Sequence, residues 1–253
     1  MNRIALITGA TSGIGEATAR KFASEGINLI LTGRRSGLLE DLKNRLIKKY
    51  DIEVLALNFD VRNNDEVVAA FNTLNENWKR IDILINNAGL ASGLDLIQDG
   101  DLEDWDKMID TNVKGLLYIS RAILPLMIEN GCGHVVNIAS TAAKEVYEKG
   151  NVYCASKHAV DAISKGMRID LLKEGIKVTS INPGLVETEF SIVRFHGDKE
   201  KAKIPYKGIK PLTGEDVANV IWYVANLPEH VNINDIVLTA TAQANSLYIK
   251  RDE

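Results

Sequence analysis

Tyr153 and Lys157 stand four residues apart in Tyr153-Cys154-Ala155-Ser156-Lys157 and could together handle a proton. On a helix that spacing puts both side chains on one face. A free tyrosine ionises near pH ~10, too high for easy proton exchange around neutrality. An ammonium beside it favours the phenolate, and the pair can then act as general acid and base. The spacing alone is weak, because Tyr206 to Lys210 repeats it. That second copy spans Gly208 between Pro205 and Pro211, which argues against a helix there. Tyr153 instead opens a long helical pattern from Val152 to Leu172. Ser140 lies thirteen residues upstream, where its hydroxyl could hold a substrate oxygen; a helix cap or turn is the plain alternative.

A second constellation binds rather than reacts. Thr8-Gly9-Ala10-Thr11-Ser12-Gly13-Ile14-Gly15 follows an apolar run and opens a helical one. Missing side chains let backbone approach a pyrophosphate, and a helix N-terminus supplies N–H donors and a positive dipole end. The spacing is G-x-x-x-G-x-G, not the G-x-G-x-x-G fingerprint, and the bland reading is an ordinary strand-to-helix turn. In such folds the end of the next strand meets the adenosine ribose. Here it reads Leu31-Thr32-Gly33-Arg34-Arg35, with no acid to accept from a free 2′-hydroxyl. Arg34, with Arg35 beside it, suits a 2′-phosphate and hence NADP. Two solvated arginines at a helix start would look the same.

Positioning these groups requires alternating elements. Ile4 to Ile7, Leu29 to Leu31, Val54 to Leu57, Ile83 to Ile85, Val135 to Ile138, Val178 to Ile181 and Ile236 to Leu238 read as buried parallel strands. Ile14 to Ala23, Leu38 to Ile47 and Val152 to Leu172 carry helical spacing. The alternation predicts an α/β fold, one doubly wound (Rossmann) parallel sheet of about seven strands with helices on both faces, in a single domain over 1–253. The stretch from Glu187 to Pro211 is polar and poor in strand signals, and reads as a functional insertion or lid.

Composition excludes several classes. The net charge of −4 favours neither nucleic acid nor an anionic membrane. No apolar run approaches ~18 residues, so no membrane span is expected, and nothing at the start reads as a signal peptide. Two cysteines without metal-ligand spacing predict neither zinc nor a disulfide framework. The expectation is a cytoplasmic protein with a small-molecule substrate.

In order along the chain, these residues resemble the short-chain dehydrogenase/reductase family. The resemblance implies cofactor contacts from Gly9, Thr11, Ser12, Gly13, Ile14 and Gly15, then Asp60 and Val61 at the adenine. It adds Asn87, Ala88 and Gly89 within Asn86-Asn87-Ala88-Gly89, and Pro183, Gly184, Val186 and Thr188 over the nicotinamide. Asn112, Ser140, Tyr153 and Lys157 match the catalytic tetrad, with Asn112 anchoring a water and Lys157 also reaching the nicotinamide ribose. Glu189 to Asp198 and Leu227 to Asn234 are similar to the branch of NADP-dependent 3-hydroxy acid dehydrogenases. That branch implies serine, allo-threonine or 3-hydroxypropionate as alcohols, malonic semialdehyde in reverse, and a homotetramer. One departure is Lys144-Glu145-Val146, where the branch carries a small residue and Trp-Pro in a loop lining the cleft. Two charges there could alter substrate choice, or pair with each other in solvent. Arg194 is a candidate for a substrate carboxylate, or a surface arginine. Competing readings are a reductase of sugars, 3-oxoacyl thioesters or steroids, and a non-catalytic NADP-binding protein.

Overall fold

The computed structural model describes residues 3–252. In chain order the elements are β1 (Ile4–Ile7), α1 (Gly13–Ser24), β2 (Asn28–Gly33), α2 (Ser36–Lys49), β3 (Val54–Asn58), α3 (Asn64–Asn72) and α4 (Glu76–Lys79). Next come β4 (Ile83–Asn86), α5 (Leu102–Ile109), a π-helical turn (Asp110–Gly115), α6 (Leu116–Glu129), β5 (His134–Ile138) and α7 (Asn151–Asp170). The last are β6 (Lys177–Pro183), α8 (Phe190–Arg194), α9 (Lys199–Lys203), α10 (Gly214–Ala225) and β7 (Asp235–Leu238). The strands form one seven-stranded parallel sheet in the order β3-β2-β1-β4-β5-β6-β7. All seven anticipated strands are present, and the three anticipated helices end within two residues of their expected limits.

Side chains alternate across the sheet and so build two cores. Ala5 and Ile7 of β1 face α1, α2 and α10, where Phe22 and Leu39 are fully buried. Ile4 and Leu6 face the other layer, built by α3, α6 and α7 around Val67, Ile123 and Val160. Full burial of each large side chain is worth ~1.5–3 kcal/mol, so both faces of the sheet are firmly covered. Trp222 meets Phe22 edge-on at 5.3 Å and closes α10 onto α1. Because strand order reverses between β1 and β4, a crevice opens there at the carboxyl edge, the usual ligand site of open α/β sheets. Among the described residues no helix is long and apolar enough to cross a membrane.

The polar stretch 187–211 is less irregular than its sequence suggests. It holds α8, α9 and a 3₁₀ turn at Ile204–Tyr206. Tyr206 ends that turn, so the second Tyr-x-x-x-Lys pattern has no helix to align it.

Candidate active site

The chain leaves β1 through Thr8 to Ser12 and enters α1. Gly9 and Gly13 have φ of 65° and 54°, a left-handed conformation that costs a glycine little. A Cβ on Gly15 would collide with the Gly9 carbonyl and the Asn87 side chain. Thr8 Oγ1 accepts from the N–H of Asn87 (3.0 Å) and Ala88 (2.9 Å), while Asn87 Nδ2 donates to the Thr8 carbonyl (2.8 Å). The ends of β1 and β4 are thereby fastened around the turn. Ser12 makes no side-chain cap on α1, which leaves the leading N–H groups of that helix free for an anion. The cradle fits a pyrophosphate.

The two arginines after β2 are not equivalent. Arg35 donates through Nε and Nη2 to Thr11 and through Nη1 to Glu189 (2.9 Å). Arg34 is half-exposed, and its one partner among the described residues is Asp60 at 3.8 Å. Burial raises the Asp60 carboxyl, but hydrogen bonds from Arg62 outweigh it and hold the group below its usual range. Arg34, with its fork open, is the group a 2′-phosphate could engage. Gly9, Thr11, Ser12, Gly13, Ile14, Arg34 and Arg35 line one cavity of about 590 Å³ that runs from the glycine turn to Tyr153, and Gly15 is not among its lining residues. Asp60, Val61, Asn87 to Gly89, Pro183, Gly184, Val186 and Thr188 border the same space.

Tyr153, Ser140 and Lys157 meet at the inner end of that cavity. Ser140 caps a 3₁₀ turn, its Oγ accepting from the Ala142 N–H (3.1 Å), so the plain reading of Ser140 is also true. Burial pushes the Tyr153 phenol well above its ordinary range. The influences opposing that rise are a hydrogen bond with Ser140 and the charge of Arg194. Lys157 Nζ donates to the Ile138 carbonyl at 2.9 Å, and burial lowers its pKa to about 8. Asn112 sits in the π-helical turn, donating to Leu90 O and Ser156 Oγ and accepting from Leu90 N. Its amide clamps the segment after β4 to α7, and only one lone pair of Oδ1 remains for a water.

The outer wall comes from Tyr147, Phe190 and Arg194. The Arg194 guanidinium lies over the Tyr153 ring at 5.2 Å and the Tyr147 ring at 5.5 Å. Its Nη2 donates to Tyr147 Oη at 2.7 Å, and its Nε reaches Gly93 O at 3.4 Å. Arg194 is therefore no free surface arginine. Phe190 meets Tyr153 edge-on at 5.6 Å.

Lys144 and Glu145 do neither thing expected of them. Lys144 bonds Asp161 (2.6 Å) and Asp235, away from the cavity, and Glu145 accepts from the Ser246 N–H (2.8 Å). Burial lowers Lys144, but its two carboxylates outweigh it and raise the ammonium; Asp161, raised by burial, is brought below its usual range by Lys144 and Lys165. A depressed carboxyl contributes stability above its unfolded pKa of ~3.9, and a raised ammonium contributes below its unfolded pKa of ~10.4. Lys144→Met is expected to cost about 1–2 kcal/mol between those limits, or roughly 2–6 °C in Tm. The gap between wild type and variant should close as pH falls through the folded Asp161 pKa. A gap as wide in acid as at pH 7 in thermal scans would refute the assignment.

Three contributors carry no sequence signal of their own: Tyr147, Phe190 and the C-terminal stretch, where Gln243 Oε1 accepts from Leu185 N (2.8 Å) and Arg251 donates to Pro205 O (3.1 Å). Only the fold reveals them.

Comparison with known proteins agrees with this fold. A family profile described as short chain dehydrogenase matches residues 3–198. The NADP-dependent 3-hydroxy acid dehydrogenase of Salmonella typhi is 47% identical over 242 residues, covering 95% of this chain and 96% of the relative. Sulfoacetaldehyde reductase 2 of Chromohalobacter salexigens is 44% identical over 254 residues, covering all of both chains. Among solved structures, the closed form of serine dehydrogenase complexed with NADP+ superposes with a TM-score of 0.91 at 45% identity, covering 98% of this chain and 100% of that one.

Proposed function

The chain belongs to the short-chain dehydrogenase family, and from that premise we propose that it interconverts a small 3-hydroxy acid and its carbonyl, with NADP. It is an oxidoreductase acting on CH–OH groups, and NADP is its cofactor. The observation that carries the substrate reading is Arg194, held 5.2 Å above the Tyr153 ring with donors still open. A substrate whose hydroxyl meets Tyr153 and whose acid group meets that guanidinium is short and anionic. A forked donor suits a carboxylate and equally a sulfonate, in keeping with the sulfoacetaldehyde reductase relative. A neutral sugar or steroid would leave the guanidinium without an anion.

Gly9 to Gly15, Asp60 and Val61, Asn87 to Gly89 and Pro183 to Thr188 would hold NADP, with Arg34 at its 2′-phosphate. When bound, the nicotinamide gives or takes the hydride, and the protein supplies position and proton traffic. In oxidation the Tyr153 phenolate takes the substrate hydroxyl proton, and in reduction the phenol returns it. Ser140 holds the oxygen that changes bond order. Lys157, with a pKa of about 8, exchanges protons near neutrality and passes them between the phenol and the Asn112 side of the site. Residues 187–211 act as a lid, anchored near its start by Arg35–Glu189 and Arg194–Gly93 and toward its end by Arg251–Pro205. Free Cys132 and Cys154 agree with a cytoplasmic setting, and Ile169 at the end of α7 and Leu172 just beyond it, both exposed, with association into a homotetramer.

Arg194→Ala is expected to raise KM for 3-hydroxypropionate, serine or sulfoacetaldehyde about 10- to 30-fold, the worth of a charge-assisted hydrogen bond. Steady-state kinetics on these substrates with NADP(H) supply the check. An unchanged KM would overturn the reading.

A further inference from the structure

Arg194 touches the catalytic phenol as well as the place where the substrate's acid group would sit. Its guanidinium is sandwiched between the Tyr153 and Tyr147 rings at 5.2 and 5.5 Å. Tyr147 Oη and Gly93 O hold two of its nitrogens, so it cannot swing away from the phenol to meet a ligand without breaking both bonds. The Gly93 N–H fixes the Arg194 carbonyl at 2.9 Å, so the backbone is held as well.

We infer that the substrate's acid group biases the ionisation of Tyr153 through Arg194: with the anion absent the nearby cation favours phenolate, and with the anion bound that influence is weakened and the balance shifts toward the neutral phenol. This deepens the proposed function and rests on it for the identity of the anion. Tyr147 is then a positioning residue, its hydroxyl holding the guanidinium over the ring that it polarises. An acid substrate thus favours the protonation state that delivers a proton to its own carbonyl oxygen. A neutral alcohol leaves the influence of the cation on the phenol intact.

The titratable and charged groups facing the phenol are few. Tyr147 and Cys154 raise it and Arg194 lowers it, with Ser140 its uncharged partner. Lys157 lies one turn along α7. Asp95, Asp101, Asp104 and Lys149 border a narrow void behind the ring, and His196 pairs with Asp104 at 3.1 Å.

The test uses the full-length enzyme with saturating NADP+ and a neutral alcohol, 1,3-propanediol, which resembles 3-hydroxypropionate without the charge. Oxidation needs phenolate, so kcat/KM falls on the acid side of the Tyr153 pKa. Saturating methanesulfonate, which stays ionised throughout, is expected to move that acid limb up by about one pH unit, as is fitting for one charge ~5 Å away. Arg194→Met is expected to move it up equally and to abolish the response to methanesulfonate. Arg194→Lys, which keeps the charge, should bring the limb at least half-way back. His196→Gln should leave the limb in place, which separates Arg194 from the Asp104 pair. A limb that stands still both on adding the anion and in Arg194→Met overturns the coupling. If acids are preferred and lose KM in Arg194→Met while the limb is fixed, the substrate reading stands and the coupling falls. If the limb moves but acids are not preferred, the coupling stands and the substrate reading falls.

Discussion

Tyr153→Phe is expected to lose about 10³-fold in kcat in both directions, with NADPH affinity changed no more than about threefold in a fluorescence titration. The size follows from what the substitution removes. The phenyl ring keeps its edge contact with Phe190 and its place under Arg194, and only the hydroxyl is lost. General acid–base groups supply about 10²- to 10⁴-fold, and nothing else at the inner end of the cavity can replace this one. Ser140 has an oxygen but no means of ionising near neutrality. Lys157 is tied to the Ile138 carbonyl. Cys154, the neighbouring thiol, is buried and raised by that burial, which withholds its reactive form. Retention of more than a tenth of wild-type kcat would mean that the proton goes elsewhere, and the reading of the site would have to be rebuilt around another group.

The parts of the site that depend on local chain geometry were readable in advance. Glycines at 9, 13 and 15 are required where the backbone turns left-handed or comes too close for a Cβ, and Gly15 against the Gly9 carbonyl is a place of the second kind. The strands were visible because a parallel sheet is buried on both faces and so spells unbroken apolar runs, as at Ile83 to Ile85 within β4. The substrate wall was not readable, because it is assembled across the sequence. Tyr147 and Arg194 meet although 47 residues separate them. Lys144 and Glu145 look like a neighbouring charged pair, yet adjacent residues do not face each other on a turn. Their partners lie 17 and 91 residues away for Lys144 and 101 away for Glu145. The same lesson applies to the phenol. A lysine four residues on is legible as its partner, but electrostatics follow distance in space, and the cation stacked on the ring arrives from α8.

The neighbouring arginines after β2 yield the second large effect, and only the structure tells them apart. Arg35 is occupied as a strut between Thr11 of the glycine turn and Glu189 at the start of α8. Arg34 faces the cavity with its fork open, and the nearby Asp60 carboxylate is already engaged by Arg62 at 2.6 Å. A phosphate taken by Arg34 makes two charge-assisted hydrogen bonds, each worth ~1.5–3 kcal/mol. Arg34→Gln is therefore expected to lower the preference for NADP over NAD about 100-fold, almost wholly through weaker NADP binding. Arg35→Gln is expected to weaken both cofactors alike, because the lost contacts hold the turn and not the 2′-phosphate. Dissociation constants for NADPH and NADH, read from the fluorescence of each variant, separate the two roles. The assignment fails if Arg35→Gln is the variant that discriminates between the cofactors, or if Arg34→Gln weakens both by the same factor.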